Sequence, residues 1–171
     1  MRLTHLSKSG SIKMVDVGGK SRTRRRALVC GMVVMKPATL EAISKERVKK
    51  GNVLETARLA GILAAKQTPR LIPLCHPVNI TNIRIEFRYT NPKSQIPNPN
   101  NAIIKIKTTV EGYDRTGFEM EAMTATAVAA LTIYDMCKAI DRGMEITDIK
   151  LLEKSGGRSG HYKRSHRLHR L

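Results

Sequence analysis

Alternation of apolar and polar positions predicts four β-strands along the chain. Residues 80–89 alternate Ile, Phe and Tyr with Asn, Arg and Glu, which predicts a strand with one face exposed to water. A similar run at 104–110 is expected to pair antiparallel with it across a Pro- and Asn-rich loop at 91–101. Residues 22–35 are apolar on both faces over their second half, which predicts a strand covered on both sides. The fourth strand is predicted at 144–154.

Two helices are predicted between the first and second strands. Pro37 suits the first turn of a helix over residues 38–48. Asn52 and Glu55 have the spacing of a capping box, which predicts that the second helix starts at residue 53. Its sequence, 53–66, is almost wholly apolar or small, so this helix is expected to be well buried.

A third and longer helix is predicted over residues 122–139, after a short extended piece that follows Gly117. Its Ala, Thr and Val side chains are small enough to let it lie close against a sheet or against a copy of itself. The order β-α-α-β-β-α-β predicts an α+β sandwich, in which helices cover one face of a mainly antiparallel sheet.

Length and cysteine content indicate a single domain whose cysteines are in the reduced, thiol form. A chain of 171 residues is long enough to bury a sizeable core, and it contains no apolar run that could span a bilayer. The first residues have no apolar stretch behind them, so no secretory signal is expected. Cys30, Cys75 and Cys137 are odd in number and widely separated, which argues against disulfides and against zinc. We therefore expect a cytoplasmic protein.

The formal charge of +17 calls for a polyanionic partner, which could be a nucleic acid, an acidic surface or a phosphorylated small molecule. Basic residues cluster at 20–26 and at 45–50 inside the chain. Residues 158–171 show no helical or strand period and are expected to be a mobile basic extension; the domain is placed at 1–163 and the tail at 164–171. Only 4% of residues are aromatic and Trp is absent, which disfavours a base-stacking nucleic-acid binder.

The strongest candidate for chemistry is residues 71–77, where Cys75 and His76 stand between two prolines. Proline at both ends excludes a helix interior and a central strand, so the segment is predicted to be a fixed loop at the edge of the core. Taken alone, such a pair is more often a buried cysteine beside a hydrogen-bonded histidine, and only the other candidate residues favour a chemical role.

Two further groups could bind anions or move protons. Lys50 precedes a helix start, where free N–H groups and the helix dipole favour an anion, although a solvated lysine is as good an explanation. Asp135 and Lys138 share one helix face and form the first charged patch on a mostly apolar helix, so they could be an acid/base pair or a surface ion pair. Residues 154–160 could form a second anion cradle or a flexible strand end.

Glu119 and Glu121 would point to one side if extended, where one could bind a guanine-like N–H edge and the other could handle protons. They could equally be exposed acids at a helix start. Glu121 and Asp135 are fourteen residues apart, about 21 Å along a continuous helix. One small substrate cannot easily touch both within one subunit, so either the site crosses a symmetric interface or the two acids serve separate sites.

Together these segments resemble the cyclic pyranopterin monophosphate synthase family of molybdenum cofactor biosynthesis. The matching sequence motifs lie at 14–17, 50–53, 57–62, 71–77, 119–122, 129–139 and 154–160. The resemblance implies a ferredoxin-like α+β subunit in a hexamer of three dimers, with active sites at subunit interfaces. It also implies a lyase reaction, in which a 3′,8-cyclised dihydro-GTP becomes cyclic pyranopterin monophosphate and pyrophosphate is lost. The alternative, from charge alone, is a basic nucleic-acid-binding protein.

The same resemblance implies roles for individual residues. Asp135 takes the principal catalytic position, with Lys50 and Lys138 as acid/base or charge-stabilising partners. The positions expected to hold the substrate are Leu74, Cys75, His76, Glu119, Met120 and Glu121. The basic positions expected near the triphosphate are Lys20, Arg25 and Lys154, of which the first two are candidates for reaching a neighbouring subunit's site. The resemblance implies no cofactor and no metal-ligand set.

Overall fold

The structure is a computed structural model that describes residues 10, 12–90, 101–158 and 160–165. The predicted loop at 91–101, apart from its last residue, and the end of the predicted tail at 166–171 lie outside the described residues. The described elements are β1 (Thr23–Met35), α1 (Pro37–Ser44), α2 (Val53–Leu71), β2 (Ile80–Thr90), β3 (Ala102–Asp114), α3 (Glu119–Cys137), β4 (Glu145–Ser155) and β5 (Tyr162–Lys163).

The strands form one antiparallel sheet in the order β2-β3-β1-β4-β5. The central strand β1 pairs with β3 over its whole length, from Thr23 opposite Asp114 to Met35 opposite Ala102. The predicted α+β fold, with an antiparallel sheet and strands at the predicted places, is confirmed. This register matters for function because it fixes the end of β3 beside the start of β1.

The helices pack on the face of the sheet that carries Ala27, Val29 and Val33, all fully buried. On the opposite face of β1, Leu28 is buried, but Met32 and Val34 in the second half of the strand are only half-buried within this chain. The prediction that β1 is covered on both sides is therefore seen on one side only, because the described helices all lie on the same face.

Small residues bring α2 and α3 into close contact, whereas the composition of α3 predicted close packing against a sheet or against a copy of itself. A Cβ atom at Gly61 of α2 would lie 2.9 Å from the carbonyl oxygen of Ala125 and 3.4 Å from the Cβ of Ala129. That is tighter than van der Waals contact permits next to a backbone carbonyl, so glycine is required there. This packing fixes the direction of α3, whose two ends carry the candidate site residues.

The helix boundaries differ from the prediction in identifiable ways. Helix α1 ends at Ser44, before the predicted residue 48, because Glu46 adopts a left-handed conformation with φ of 53°. Helix α2 starts as predicted, with Asn52 Oδ1 accepting a hydrogen bond of 3.0 Å from the Glu55 N–H. It continues past residue 66 to Leu71, and so delivers the Cys-His segment directly from its C-terminal end.

The predicted extended piece after Gly117 is wrong. Phe118 is fully buried and is the N-cap of α3, so Glu119 and Glu121 lie in the first helical turn and do not point to one side as alternate residues of a strand would. Negative charge is favourable at this end of a helix. The distance argument is unaffected, since Glu121 and Asp135 do lie on one continuous helix.

Strand β5 was not predicted, and it lies in the segment expected to be a mobile basic extension. It pairs Tyr162 with Lys154 and Lys163 with Glu153. Arg164 continues this attachment, since its backbone N–H donates to the Leu152 carbonyl at 2.8 Å. Two paired residues are too few to give a periodic signal in sequence.

A buried carboxylate ties α1 to the turn after α3. Asp141 is 2% exposed and accepts hydrogen bonds from the Lys36 N–H at 2.9 Å, the Gly143 N–H at 3.1 Å and the Thr39 hydroxyl at 3.2 Å. Burial acts to raise its pKa, but these hydrogen bonds outweigh burial and lower it.

Within the described residues, no helix combines the length and apolar composition that a membrane-crossing segment needs.

Candidate active site

Two adjoining clefts open where the end of β3, the start of α3 and the Cys-His segment meet. The apolar cleft, of about 430 Å³, is lined by Ile72, Leu74, Cys75, His76, Thr116, Gly117, Glu119, Met120 and Glu121. The basic cleft, of about 620 Å³, is lined by Gly19, Lys20, Ser21, Thr23, Arg25, Arg115, Thr116, Gly117, Glu119, Lys154, Gly157 and Arg158. Thr116, Gly117 and Glu119 line both, so the clefts are continuous.

Every residue predicted to bind the substrate lines one of these clefts. The residues expected to hold the body of the substrate line the apolar cleft, and those expected near the triphosphate line the basic cleft. The sequence pattern alone did not place them together, because they come from four separate segments of the chain. The fold brings these segments to one corner of the sheet.

Glu121 lies buried in the wall of the apolar cleft, with 2% of its surface exposed. Burial raises its pKa to about 7, and the negative charges of Glu119 and Asp114 act in the same direction. This carboxyl group can therefore hold or release a proton near neutral pH. Cys75 faces the same region: burial, and then the charge of Glu121, raise the pKa of its thiol, which disfavours a thiolate nucleophile.

Glu121→Gln is expected to flatten the dependence of stability on pH. Because the folded state binds this proton more tightly than the unfolded chain does, wild-type stability should fall as pH rises from about 4.5 to about 7. The amide removes that loss, so the variant should exceed the wild type at pH 8 by an amount of order 3 kcal/mol. Urea unfolding between pH 4 and pH 8 measures the difference. The exposed residue Glu145 supplies a control, Glu145→Gln; equal pH slopes in all three proteins would contradict the assignment.

The basic residues of the second cleft are partly committed to protein contacts. Lys154 Nζ lies 2.7 Å from Glu119 Oε1, at the junction of the two clefts. Arg25 donates from Nε to the Asp114 carbonyl and from Nη2 to the Arg115 carbonyl, both at 2.9 Å. Lys20 is exposed at the rim. An anion entering this cleft would meet positive charge held in place by the protein.

Sequence reasoning missed Arg115 and Thr23 as lining residues of the basic cleft. Arg115 stands between the end of β3 and the start of α3, where a charged residue looks like an ordinary turn residue. Its position became recognisable only once the β1–β3 register placed Asp114 opposite Thr23. The signal available in sequence was a basic residue just before a helix start, the same signal that singled out Lys50.

The three predicted catalytic residues do meet in space. Lys138 Nζ lies 2.7 Å from Asp135 Oδ1, and Lys50 Nζ lies 2.8 Å from Oδ2 and 3.0 Å from the Asp135 carbonyl. All three side chains are about half exposed. Hydrogen bonds from Lys138 and then Lys50 lower the pKa of Asp135 to about 2, while Asp135 raises the pKa of Lys138. At neutral pH the cluster is one carboxylate between two ammonium groups, with a net positive charge.

This cluster is remote from both clefts within one chain. Glu119 and Asp135 are at opposite ends of α3, a separation of about 24 Å along the helix axis. Neither cleft is lined by Asp135, Lys50 or Lys138. The structure of one chain therefore brings the predicted residues together in two groups, and does not unite them.

Comparison with known proteins gives a consistent result. The family model described as MoaC family matches residues 14–157. A cyclic pyranopterin monophosphate synthase of Pelotomaculum thermopropionicum is 51% identical over 162 residues, covering 95% of this chain and 91% of that protein. One from Syntrophomonas wolfei is 51% identical over 164 residues, covering 96% and 99%. Cyclic pyranopterin monophosphate synthase 3 of Mycobacterium tuberculosis is 53% identical over 163 residues, covering 95% and 86%. The predicted family resemblance is confirmed.

Proposed function

The chain belongs to the MoaC family, and on this premise we propose that it is a cyclic pyranopterin monophosphate synthase of molybdenum cofactor biosynthesis. The substrate proposed is 3′,8-cyclo-7,8-dihydroguanosine 5′-triphosphate, which is rearranged to cyclic pyranopterin monophosphate with release of pyrophosphate. The observation that carries this proposal is the pair of continuous clefts, one mainly apolar and one basic, which share Gly117 and Glu119. Their junction suits a molecule with a ring system at one end and a polyphosphate at the other.

The apolar cleft supplies the groups that a guanine-derived ring system needs. Leu74 and Met120 offer apolar contact, and His76 stands beside them in the lining. Glu121 has a pKa of about 7, which suits proton transfer to or from a ring nitrogen at neutral pH. Opening and reclosing a purine ring needs several such transfers.

The basic cleft suits the triphosphate and its departing pyrophosphate. Lys20 and Lys154 line it together with arginines, and a triphosphate carries about four negative charges, so binding and leaving-group stabilisation come from the same cations. The ion pair between Lys154 and Glu119 must exchange for contacts with the substrate. That exchange links occupancy of the basic cleft to the charge at the mouth of the apolar cleft.

Asp135, Lys50 and Lys138 are proposed as the catalytic cluster. With its pKa near 2, Asp135 is a carboxylate throughout the neutral range and does not serve as a proton donor in this arrangement. It instead holds two ammonium groups at fixed positions, 2.7 and 2.8 Å from its oxygens. The lysines can then stabilise developing negative charge on the substrate, and either can supply a proton.

Since the cluster and the clefts are about 24 Å apart along α3, we propose that they meet across an interface between subunits, in a homohexamer built from three dimers. Large apolar side chains support an interface on the helices: Leu59 and Leu63 of α2 are 60% and 53% exposed, and Leu131 of α3 is 57% exposed. Leu131 stands one helical turn before Asp135, so covering it would bring the catalytic cluster to the interface. We place this assembly in the cytoplasm.

The rival interpretation, a nucleic-acid-binding protein, receives no support from the relatives, which are named as synthases. The clefts also concentrate carboxylates, Glu119 and Glu121, where a binder of phosphate backbone would be repelled. We therefore attribute the positive charge of the basic cleft to recognition of a small polyphosphate.

Incubation of the purified chain with the cyclised dihydro-GTP tests the proposal. We expect one pyrophosphate to be released for each cyclic monophosphate formed. Chromatography measures the pterin product, and an enzymatic assay measures the pyrophosphate. GTP that has not been cyclised is the matched control and should release none. Absence of product with the cyclised substrate would count against the enzyme assignment itself.

A further inference from the structure

The arginines and lysines of the basic cleft are not equivalent, because they differ in what they already bind. Lys154 is paired with Glu119 at 2.7 Å, and Arg25 donates to two backbone carbonyls. Arg115, in contrast, makes no side-chain hydrogen bond or salt bridge to any residue in the part of the chain that the structure describes, and its Nε is buried without an acceptor. Burial acts to raise the pKa of Asp114, but backbone hydrogen bonds and nearby positive charges, that of Arg115 among them, lower it. Within the described residues, the charge of Arg115 therefore acts on Asp114, but the hydrogen-bond donors of its guanidinium have no protein acceptor.

A second unused polar group lies at the same corner of the sheet. The Thr23 hydroxyl is also buried without a partner among the described residues, and Thr23 lines the same cleft. In the β1–β3 register Thr23 stands opposite Asp114, the residue immediately before Arg115. A buried donor without an acceptor is unfavourable, and two of them in one cleft indicate a ligand with several oxygen atoms.

Arg25 is placed to hold Arg115. Its Nε and Nη2 bind the carbonyls of Asp114 and Arg115, so its guanidinium fixes the backbone from which the Arg115 side chain extends. Gly157 makes room for that guanidinium: its φ is 74°, and a Cβ there would collide with Arg25 Nη1. These contacts commit two of the five N–H donors of Arg25 to the backbone that carries Arg115.

From these contacts we infer that Arg115 is a phosphate-binding residue of the basic cleft, assisted by the Thr23 hydroxyl, and that Arg25 is a positioning residue that acts through Arg115. The planar guanidinium of Arg115 can bind two oxygens of one phosphate group at once, which an ammonium group cannot do. The inference rests on the proposed function and deepens it, since it assigns the contacts to the triphosphate. It changes the expected role of Arg25 from a direct ligand to a support.

Binding of inorganic tripolyphosphate, measured by isothermal titration calorimetry at constant ionic strength, tests the first part. Arg115→Ala should weaken binding by about 30-fold or more. Arg115→Lys should restore only part of the loss, because an ammonium group lacks the paired N–H donors with which a guanidinium binds two oxygens of one phosphate. The control is Arg84→Ala, which removes an equal charge from the exposed face of β2 and should change affinity less than about threefold. An Arg115→Ala loss no larger than that of Arg84→Ala would overturn the assignment, as would absence of tripolyphosphate binding by the wild type.

A double-mutant cycle tests the positioning role. Arg25→Lys, chosen over alanine because it retains the charge, should weaken tripolyphosphate binding about tenfold in the wild-type background and have little further effect on Arg115→Ala. Losses that multiply in the double variant would show that Arg25 binds phosphate directly. Arg25→Ala repeats the measurement if the lysine supports the two carbonyls as well as arginine does; affinity unchanged in both Arg25 variants would also overturn the positioning role.

Turnover of the cyclised dihydro-GTP by the same proteins separates the inference from the proposed function. If the wild type turns over the substrate while Arg115→Ala binds tripolyphosphate normally, the inference fails and the function stands. If the wild type binds tripolyphosphate through Arg115 but forms no pterin, the function fails and the anion site stands. If both hold, the KM of Arg115→Ala should rise more than its kcat falls.

Discussion

Asp135→Asn is expected to lower kcat by about 10³-fold while leaving the oligomer intact, because the substitution removes the charge that holds two ammonium groups in place. The amide keeps one acceptor oxygen but replaces the other with an NH2 donor and carries no charge, so it cannot balance two ammonium groups at 2.7 and 2.8 Å. Lys50 and Lys138 should then separate, and their positions relative to the substrate should be lost. Steady-state kinetics with the cyclised dihydro-GTP, together with light scattering after size exclusion, measures both outcomes.

Asp148→Asn is the matched control for this variant. Asp148 is also an exposed carboxylate with a lysine partner, Lys150 at 3.0 Å, and asparagine tolerates its left-handed backbone at φ of 56°. The control should retain its turnover. Retained turnover in Asp135→Asn would contradict the catalytic role of the cluster, whereas dispersal of the oligomer would show that Asp135 acts in assembly.

Sequence periodicity predicted the sheet because polar residues on the exposed face alternate with apolar residues on the buried face along the strands. The residues from Ile80 onward alternate with period two, and the observed strand β2 spans Ile80–Thr90. Strand β5 was not predicted, because the pairing of Tyr162 with Lys154 depends on a neighbouring strand and two residues are too few to show a pattern of their own. The start of α3 was not predicted, because the burial of Phe118 sets that boundary and burial depends on tertiary packing.

The site shows the same division between local and long-range information. Cys75 and His76 were recognisable because prolines on both sides restrict the backbone locally. Arg115 was not recognisable, because the role inferred for it rests on an Nε that has no acceptor among the described residues and on the contacts of Arg25, ninety residues earlier in the sequence. The separation of Asp135 from the clefts was predictable, since it follows from helix geometry once one helix carries both.

Mixing two inactive variants is expected to restore activity, because each active site is proposed to take its catalytic cluster from one subunit and its clefts from another. Asp135→Asn disables the cluster, and Lys154→Glu disables the basic cleft by repelling both Glu119 and the triphosphate. Random pairing of the two kinds of subunit leaves one intact site in each mixed dimer, so co-expressed proteins should regain about one quarter of wild-type activity. Kinetics on assemblies isolated through two different affinity tags measures this recovery.

The control pairs two variants of the same cluster, Asp135→Asn with Lys50→Ala. Both disable the group that one subunit contributes, so every site in the mixed assembly receives a defective cluster and activity should stay at the level of the parents. Recovery in the first mixture and none in the second is a pattern that within-chain sites cannot produce, because a site built from one chain keeps its own defect whichever partner it has. If doubly tagged assemblies containing Asp135→Asn and Lys154→Glu remain as inactive as their parents, the catalytic cluster and the clefts do not meet between subunits, and the distance of about 24 Å along α3 would have to be reconciled with two independent sites.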